Sequence, residues 1–430
     1  MSVLAWVSVA VFLCAYALIA TEKIHRVAAA LGGAGIMLLI HATDAEAAFF
    51  SEHAGIDWNV VFLLLGMMVI VGVLKETGVF EYLAIWAAKK ARGRPFRLMV
   101  LLVLITASAS ALLDNVTTVL LIAPVTFLVC ERLALPAAPF LIAEAMASNI
   151  GGAATLVGDP PNIIIASRGN LSFNDFLVHM APLVVVLMVV FVGLCWFMFG
   201  RSFTYDPERA AQIMALDERE AIADRRLLWQ SLVVLALVMA AFVLHPVLHY
   251  EPSVVAILGA GILVAATKVT TEQAIAEVEW PTLVFFAGLF VMVGALVETG
   301  VIGQLSEAAV GATAGELELT TMGLLGASAG LSAIVDNIPY VATMSPIVEQ
   351  LVQANGGNDQ AQVLWWALAF GADLGGNATA VGAAANVVVL GIAARNRTPI
   401  SFWQFTKYGL IVTVVTVALV APYLWLRYLM

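Results

Sequence analysis

The chain has 430 residues, of which 62% are hydrophobic and 12% are charged, and its formal net charge is −10. A soluble domain is about 45–50% apolar and about 25% charged, so this composition excludes a cytosolic enzyme and a nucleic-acid-binding protein. Long apolar runs without strand-like alternation predict an all-α polytopic membrane protein. The cysteines are scattered, and the sequence has neither a phosphate-binding loop nor a metal-binding histidine pair, so we expect no cofactor and no bound metal.

Ten apolar stretches have the length of a membrane span or of a span broken in the middle. We place them at residues 3–20, 27–41, 57–75, 137–167 (broken), 176–199, 227–246, 253–267, 281–298, 362–394 (broken) and 405–427. Two further stretches, about 98–130 and 321–347, each carry an apolar arm, a polar Asp-Asn elbow and a second apolar arm of only about 9–15 residues, which is too short to cross a bilayer. We therefore predict a re-entrant hairpin at each of them.

An internal repeat relates the two halves of the chain. Residues 58–78 match residues 280–300 at an offset of 222, from the tryptophan to the final Glu-Thr-Gly. Further matches join 110–115 with 332–337 and, after a slip of two residues, 151–155 with 375–379. So many matches in order predict a first repeat at 1–200, a charged cytoplasmic linker with a short surface helix at 201–226, and a second repeat at 227–430.

The basic residues predict the topology. With the N-terminus outside, nearly all Lys and Arg residues, including Lys23, fall in cytoplasmic loops, and only Arg168 and Arg427 fall clearly outside. Each half then has five crossings and one hairpin, so the second half is inverted relative to the first and both termini lie outside. Inverted repeats with interrupted helices are typical of secondary transporters.

The Asp-Asn pairs at the hairpin tips, Asp114-Asn115 and Asp336-Asn337, lie in apolar sequence. An aspartate at a helix centre costs about 2.5–3.5 kcal/mol on insertion scales, so such residues usually face a protein interior or a cavity. Helix capping is the structural alternative, but capping requires only one residue of each pair. We predict that the asparagines bind the substrate and that the aspartates carry protons.

The two broken helices form the second predicted part of the site. Their glycine pairs tolerate unwound backbone, and Pro160-Pro161 cannot continue a helix. Close packing of glycine-rich helices is the alternative, but it does not account for the polar residues that cluster with the glycines, which are Asn149, Asp159, Asn162, Asp373, Asn377 and Asn386. Asp159 has Ala383 as its counterpart, so it carries a proton or caps the half-helix that follows. Glu144, whose counterpart is Leu368, is a further candidate proton carrier.

The paired Asp-Asn elbows, the Gly-Gly-x-x-Thr breaks and the Gly-Asp-Pro-Pro-Asn run at 158–162 resemble the ion transporter superfamily. Within it they are most similar to the ArsB arsenite permease and its relatives, including NhaD-type sodium/proton antiporters and the P protein. The resemblance covers nearly the whole chain. It implies an elevator-type mechanism, in which the hairpins and broken helices move as a transport domain against a scaffold of the earlier spans. Dicarboxylate members carry Ser-Asn-Thr at the tips, and the tips here differ.

The chemistry of these residues restricts the substrate. The predicted site has no intramembrane Lys or Arg, so a multiply charged anion would lack a counter-charge. A neutral hydroxyl species such as arsenous acid suits amides and hydroxyls, which both donate and accept hydrogen bonds. We therefore predict efflux of arsenite or antimonite in exchange for protons, with NhaD-type sodium/proton antiport as the alternative. A channel and a non-transporting membrane scaffold are functional alternatives of a different class. The paired polar breaks argue against a scaffold.

The predicted substrate-binding residues are Asn115, Asn337, Thr117, Ser110, Ser332, Gly151, Gly152, Thr155, Gly375, Gly376, Asn377 and Thr379. The predicted proton-coupling residues are Asp114 and Asp336, with Asp159 and Asp373 as alternatives. We expect a bacterial-type inner membrane location, membrane lipids as surroundings, a small inorganic substrate and no enzyme activity. The family resemblance also implies an ArsA-type ATPase as a partner, for which the cytoplasmic loops would be the docking surface.

Overall fold

The computed structural model describes residues 2–21, 24–51, 53–201, 203–215, 217–313 and 315–430, and in these ranges it contains helices and no strand. Lys23, which we predict in a cytoplasmic loop, lies outside the described residues. Seven of the described helices are long and apolar enough to cross a membrane, and several shorter apolar helices accompany them. The prediction of an all-α polytopic membrane protein is confirmed.

The helices of the first half are α1 Val3–Ala20, α2 Arg26–Leu39, α3 Ala45–Phe50, α4 Trp58–Lys75, α5 Val79–Lys90, α6 Pro95–Ser110, α7 Asn115–Leu133, α8 Ala137–Gly152, α9 Pro160–Gly169, α10 Phe173–His179 and α11 Ala181–Phe199. The linker contains α12 Pro207–Met214 and a 3-10 turn at Glu218–Ala221. The helices of the second half are α13 Arg225–Val243, α14 His245–Leu248, α15 Pro252–Ala266, α16 Thr271–Ala276, α17 Trp280–Glu298, α18 Val301–Ala312, α19 Leu317–Ser332, α20 Asn337–Ala354, α21 Val363–Gly375, α22 Ala384–Arg395 and α23 Phe402–Leu424, which ends in a π turn.

Four helices, which we call the scaffold helices, pair across the two halves. Helix α2 packs against α17, and α4 packs against α15. Because α17 is the repeat counterpart of α4, and α15 that of α2, the two pairs are equivalent under the repeat. The Glu-Thr-Gly motifs that end α4 and α17 also adopt the same backbone, since Gly78 and Gly300 have φ values of 76° and 74°. A left-handed glycine of this kind stops a helix.

The hairpins and broken helices, α6–α9 and α19–α22, form what we call the hairpin domain. Within each half the first hairpin arm packs against the first part of the broken helix, α6 on α8 and α19 on α21. Between the halves the second arm packs against the second part of the other broken helix, α7 on α22 and α20 on α9. This exchange brings the two hairpin tips and the two helix breaks into one place.

Several predicted boundaries change. The second arms of the hairpins, α7 and α20, have 19 and 18 residues. Helix α7 is among the helices long and apolar enough to cross a membrane and α20 is not, so the prediction of an arm too short to span is wrong for α7. The predicted span at 176–199 is divided, because α10 ends at His179 and α11 begins at Ala181. The linker holds a helix and a separate 3-10 turn where we expected one short helix. The breaks within 137–167 and 362–394 lie between α8 and α9 and between α21 and α22.

The side-chain contacts separate two ends of the bundle. At one end, which we call the basic end, Lys75 pairs with Glu277 at 2.7 Å and Lys89 pairs with Glu218 of the linker. At the opposite end, Arg168 donates to the His53 carbonyl at 2.7 Å. The loops that we predict on one side of the membrane therefore share one end of the molecule, which agrees with the inverted arrangement of the repeats.

Candidate functional site

The first residue of each tip pair is a helix cap. The Asp114 carboxylate accepts a hydrogen bond from the backbone N–H of Thr117 at 2.8 Å. Asp336 accepts one from the backbone N–H of Ile338 at 3.0 Å. Both aspartates therefore satisfy the first turn of the second arm, which is the capping alternative considered above. Thr117 contributes its backbone N–H to this cap.

The second residue of each tip pair points into the buried centre of the hairpin domain. Asn115 donates to Asp159 at 2.8 Å and to the amide oxygen of Asn149 at 3.1 Å. Asn337 approaches both oxygens of the same Asp159 at 3.4 Å. All four side chains are buried. Asp159 thus joins the two hairpin tips, and its side chain makes no cap hydrogen bond to α9, so the capping role that we considered for it is not observed.

Asn149 connects the two helix breaks. Its amide nitrogen donates to Asn377 at 2.9 Å and to Asn386 at 3.2 Å, both from the second half. Asn149 and Asn386 belong to the polar cluster that the breaks contain, but the predicted substrate-binding set omits them. A signal was present in the sequence, because the repeat places Asp373 opposite Asn149 and Asn386 opposite Asn162.

Most of the predicted hydroxyl ligands hold the hairpins to the breaks. Thr155 donates to the Ala111 carbonyl and Thr379 to the Ala333 carbonyl, each at 2.6 Å. Ser110 and Ser332 donate to carbonyls of α8 and α21 at 2.7 and 2.6 Å. These four hydroxyls are therefore already engaged with backbone, and the same two bonds occur in each repeat.

The glycines of the breaks allow a close approach of the backbone. A Cβ atom added at Gly151 would lie 2.3 Å from the Ala107 carbonyl oxygen, and one at Gly375 would lie 2.6 Å from that of Ala329. Gly152 and Gly376 meet the equivalent Gly158 and Gly382 in the same way. The packing that we considered as an alternative for these glycines is therefore present, together with the polar cluster.

Several buried polar atoms of the cluster have no hydrogen-bond partner among the described residues. They are both carboxylate oxygens of Asp373, the amide oxygens of Asn115 and Asn162, and the amide nitrogen of Asn377. Asp373 also lies within electrostatic range of Asp159. Unpartnered buried polar groups are uncommon and call for a ligand, an ion or water.

The ion pairs found in the described part of the chain, Lys75 with Glu277, Lys89 with Glu218 and Arg209 with Asp206, all lie away from this cluster. Among the described residues, therefore, no cationic side chain forms an ion pair with the two buried carboxylates at the centre.

A cavity of about 490 Å³ leads from the basic end to the hairpin tips. Scaffold residues Arg26 and Thr282 line it on one side, and Val116, Asp336 and Ala384 of the hairpin domain line it on the other. Val116 and Asp336 are the chain neighbours of the two tip asparagines. We call this cavity the vestibule.

A smaller cavity of about 300 Å³ occupies the equivalent position at the opposite end. Its lining residues Asn59, Leu63 and Ile163 are the repeat counterparts of the vestibule residues Pro281, Phe285 and Val387. No tip residue is among the residues that line it. The vestibule therefore reaches the neighbours of the tip asparagines from the basic end, and the smaller cavity does not reach the tips from the other end.

Comparison with known proteins agrees with this architecture. The chain is 58% identical over 422 residues to an uncharacterised transporter of Mycobacterium bovis, with 98% of each protein covered. It is 58% identical over 423 residues to a 46 kDa membrane protein of Mycobacterium leprae, with 98% of this chain and 99% of that protein covered. The P protein of Homo sapiens is 33% identical over 488 residues, which cover 95% of this chain and 58% of the P protein.

A solved structure shares the fold. The YdaH transporter of Alcanivorax borkumensis, described as having an unusual topology, matches with a TM-score of 0.60 over 85% of this chain and 84% of its own, at 14% identity. The family model described as citrate transporter, CitMHS, matches residues 16–371. With a family match over most of its length and transporters as its relatives, the chain is a secondary transporter of the CitMHS citrate transporter family, within the ion transporter superfamily.

Proposed function

We propose that this protein exports arsenite or antimonite from the cytoplasm in exchange for protons. The observation that carries the proposal is the buried cluster itself, which combines two carboxylates, several amides and no contacting basic side chain. Such a centre favours a small neutral or cationic substrate over an anion, because an anion would be buried beside Asp159 and Asp373 without a counter-charge.

The unpartnered atoms match a neutral hydroxyl species. Arsenous acid has three hydroxyl groups, each of which donates and accepts hydrogen bonds. Four of the unpartnered atoms are oxygens that accept, and one, the amide nitrogen of Asn377, donates. A substrate with hydroxyl groups satisfies both kinds of atom, whereas a bare cation satisfies the oxygens alone.

The proton is assigned to the two buried aspartates. Two carboxylates within electrostatic range in a buried place are costly when both are ionised, so at least one of them holds a proton in the absence of a cation. Substrate and proton then compete for the same oxygens, which is the requirement for exchange. Asp114 and Asp336 are committed to helix caps, so Asp159 and Asp373 take the leading role and the tip aspartates the secondary one.

Sodium/proton antiport is the second candidate, because one observation favours it. The four unpartnered oxygens of Asp373, Asn115 and Asn162 are the kind of ligand that a hard cation prefers. Citrate, which the family description names, carries several negative charges, and no basic side chain of the described ranges pairs with the cluster to receive them. Arg26 in the vestibule wall donates to Thr282 at 3.1 Å, and it is not among the hydrogen-bond partners of the cluster.

Proton flux in liposomes separates these substrates. The purified protein is reconstituted with a pH-sensitive dye inside, and arsenite, antimonite, sodium or citrate is added outside. We expect arsenite and antimonite to drive proton movement that empty liposomes lack. A response to sodium alone would select the second candidate, and a response to citrate alone would overturn the assignment of a neutral substrate.

The vestibule supports a mechanism of alternating access. We assign the basic end to the cytoplasm from the positive-inside rule, so the structure represents a cytoplasm-facing state. An elevator-type movement of the hairpin domain against the scaffold helices would close the vestibule and open its counterpart. The docking of an ArsA-type ATPase would take place on the same basic end, and ATP-independent transport by the purified chain would show that such a partner is dispensable.

Cysteine labelling tests the assigned orientation. Gly93 is a poor site, because its φ is 66° and an added Cβ would lie 2.5 Å from Ala210. The exposed Arg94 and Gly311 are suitable. In a background that lacks the exposed Cys14, we expect Arg94→Cys to react from the cytoplasm and Gly311→Cys from outside. Labelling of both from one face would contradict the inverted topology.

A further inference from the structure

Helix α8 carries a buried carboxyl group that lies outside the central cluster. Glu144 is 1% exposed, and one of its oxygens accepts a hydrogen bond from the Thr126 hydroxyl of α7 at 2.6 Å. Its other oxygen has no hydrogen-bond partner among the described residues. The titratable group that faces it is the buried thiol of Cys130 on α7, and no ion pair in the described part of the chain includes Glu144.

The position of Glu144 lies between the basic end and the cluster. Helix α8 begins at Ala137 and reaches the cluster at Asn149. At 1.5 Å per residue, Glu144 lies about 10 Å inside the start of the helix and about 7.5 Å before Asn149. On α7, Thr126 and Asn115 are eleven residues apart and face nearly the same direction at 100° per residue.

The repeat provides an internal comparison for this pair. The residues equivalent to Thr126 and Glu144 are Val348 and Leu368, both fully buried. The equivalent helices α20 and α21 also pack against each other, and both equivalent positions carry apolar side chains. Packing does not require the carboxyl group, and a buried carboxyl without a cation is costly to retain.

Two more hydroxyl groups distinguish the first hairpin. Thr106 and Thr118 are buried and have no hydrogen-bond partner among the described residues. Their repeat equivalents, Ser328 and Tyr340, bond to each other at 2.9 Å. Threonine at position 118 is shorter than the equivalent Tyr340, so the hydroxyls of Thr118 and Thr106 stay available to a water molecule. A buried water requires two to four polar partners.

We propose that Glu144 is a proton-carrying residue, which passes protons between the basic end and the central cluster with the help of the Thr126, Thr118 and Thr106 hydroxyls and bridging water. A protonated Glu144 releases its proton at the basic end, and a protonated carboxyl group of the cluster then restores it by passing its proton through these hydroxyls. The step moves one proton and needs no other reactant. This inference rests on the proposed proton coupling, but it assigns a route that the substrate does not share.

The test compares two variants with the wild type in liposomes. Glu144→Gln retains the size of the side chain and cannot release a proton. The double variant Thr126→Val with Glu144→Leu copies the pair found in the second half, so its packing is already tolerated by the fold. Arsenite and sodium are the probes. Each protein is assayed for transport driven by a proton gradient and for exchange of labelled against unlabelled probe at equal pH on both sides.

We expect both variants to lose about 10²-fold or more of gradient-driven transport, the scale of a proton transfer step, and to retain the exchange. Unchanged gradient-driven transport in both variants would overturn the inference, because the carboxyl group would then be structural. Loss of the exchange in both would also overturn it, because Glu144 would then act on the substrate. A wild type that moves no protons with any probe would reject the proposed function instead.

Infrared spectroscopy provides a readout that does not depend on transport. A protonated buried carboxyl group contributes a C=O band to the infrared spectrum. We expect the wild type to show such a band for Glu144 and the Glu144→Gln variant to lack it. Loss of a protonated-carboxyl band in Glu144→Gln supports the inference, and an unchanged spectrum in that region overturns it.

Discussion

The two halves of the hairpin domain have the same framework and different chemistry. In both halves a serine and a threonine bond the hairpin to the break, and an asparagine closes the break by donating to two backbone carbonyls. The two buried acidic residues of the central cluster do not follow the repeat. Asp159 has an alanine as its counterpart, and Asp373 has Asn149. The repeat therefore preserves the bonds that define the shape, and each half contributes one carboxylate from a different position.

The strongest way to test this comparison is to remove each carboxylate. We expect Asp159→Asn and Asp373→Asn each to lower proton-coupled transport by about 10²-fold or more, because the amide retains the shape and cannot release a proton. Proton flux in liposomes measures the effect. The tip variants Asp114→Asn and Asp336→Asn are the matched controls, since asparagine caps a helix about as well as aspartate. Greater losses in the tip variants would restore the tip aspartates as the main proton carriers.

The tip asparagines are equivalent in sequence and unequal in contacts. Asn115 donates at 2.8 and 3.1 Å, whereas both contacts of Asn337 are 3.4 Å long. We expect Asn115→Ala to cost about 1–3 kcal/mol of stability, because it leaves buried partners unsatisfied, and Asn337→Ala to cost less. Both should reduce transport. Thermal unfolding in detergent orders the two variants, and an equal or reversed order would show that the tips are energetically equivalent.

The framework threonines should behave alike. Thr155→Val and Thr379→Val each remove one hydroxyl that donates to a backbone carbonyl at 2.6 Å. A buried hydrogen bond of this kind contributes about 1 kcal/mol, so we expect a similar decrease in melting temperature for both variants. Transport at a temperature well below unfolding should be affected less than by the aspartate variants. A large loss of transport in one variant alone would give that threonine a role in substrate binding.

The smallest expected effect lies in the linker. The hydrogen bond from Lys89 holds the pKa of Glu218 below its ordinary value of 4.5. A lowered pKa means that the contact is complete above pH 4.5 and is lost as the pH falls through the lowered pKa. We expect hydrogen exchange of α5 and the linker to increase in that acidic window, and Glu218→Gln to show the increase already at neutral pH. The effect is small because the pair is partly exposed.

The sequence was sufficient for the framework of this fold. Apolar length predicted the spans, and the 222-residue offset predicted equivalent breaks and equivalent tips, which the structure contains. The tips depend on local sequence, because an Asp-Asn elbow caps a new helix. A glycine pair alone does not interrupt a helix, since Gly32 and Gly33 lie within α2, and the breaks also contain polar residues. The offset also identified Asp159 as a residue without an acidic counterpart.

The sequence was insufficient for the assignment of individual roles. Asn149 connects the two breaks because helices of the two halves pack against each other, α7 on α22 and α20 on α9. The repeat offset in the sequence does not indicate which helices of the two halves are in contact. The hydroxyls of Ser110 and Thr155 were open to a substrate role until their backbone acceptors were known. The hairpin arms were underestimated because charged residues at their bases, such as Glu131 and Arg132, lie beyond the apolar stretch and continue the same helix.

The pairing of α2 with α17 and of α4 with α15 has a consequence for the ancestry of the chain. Each scaffold contact joins a helix of one half to a helix of the other, so an isolated half would leave both surfaces uncovered. A half-length ancestor would have formed these contacts with a second copy of itself in the antiparallel orientation. Gene duplication and fusion would then have joined two subunits that already inserted in opposite directions, and the linker of the present chain marks the junction.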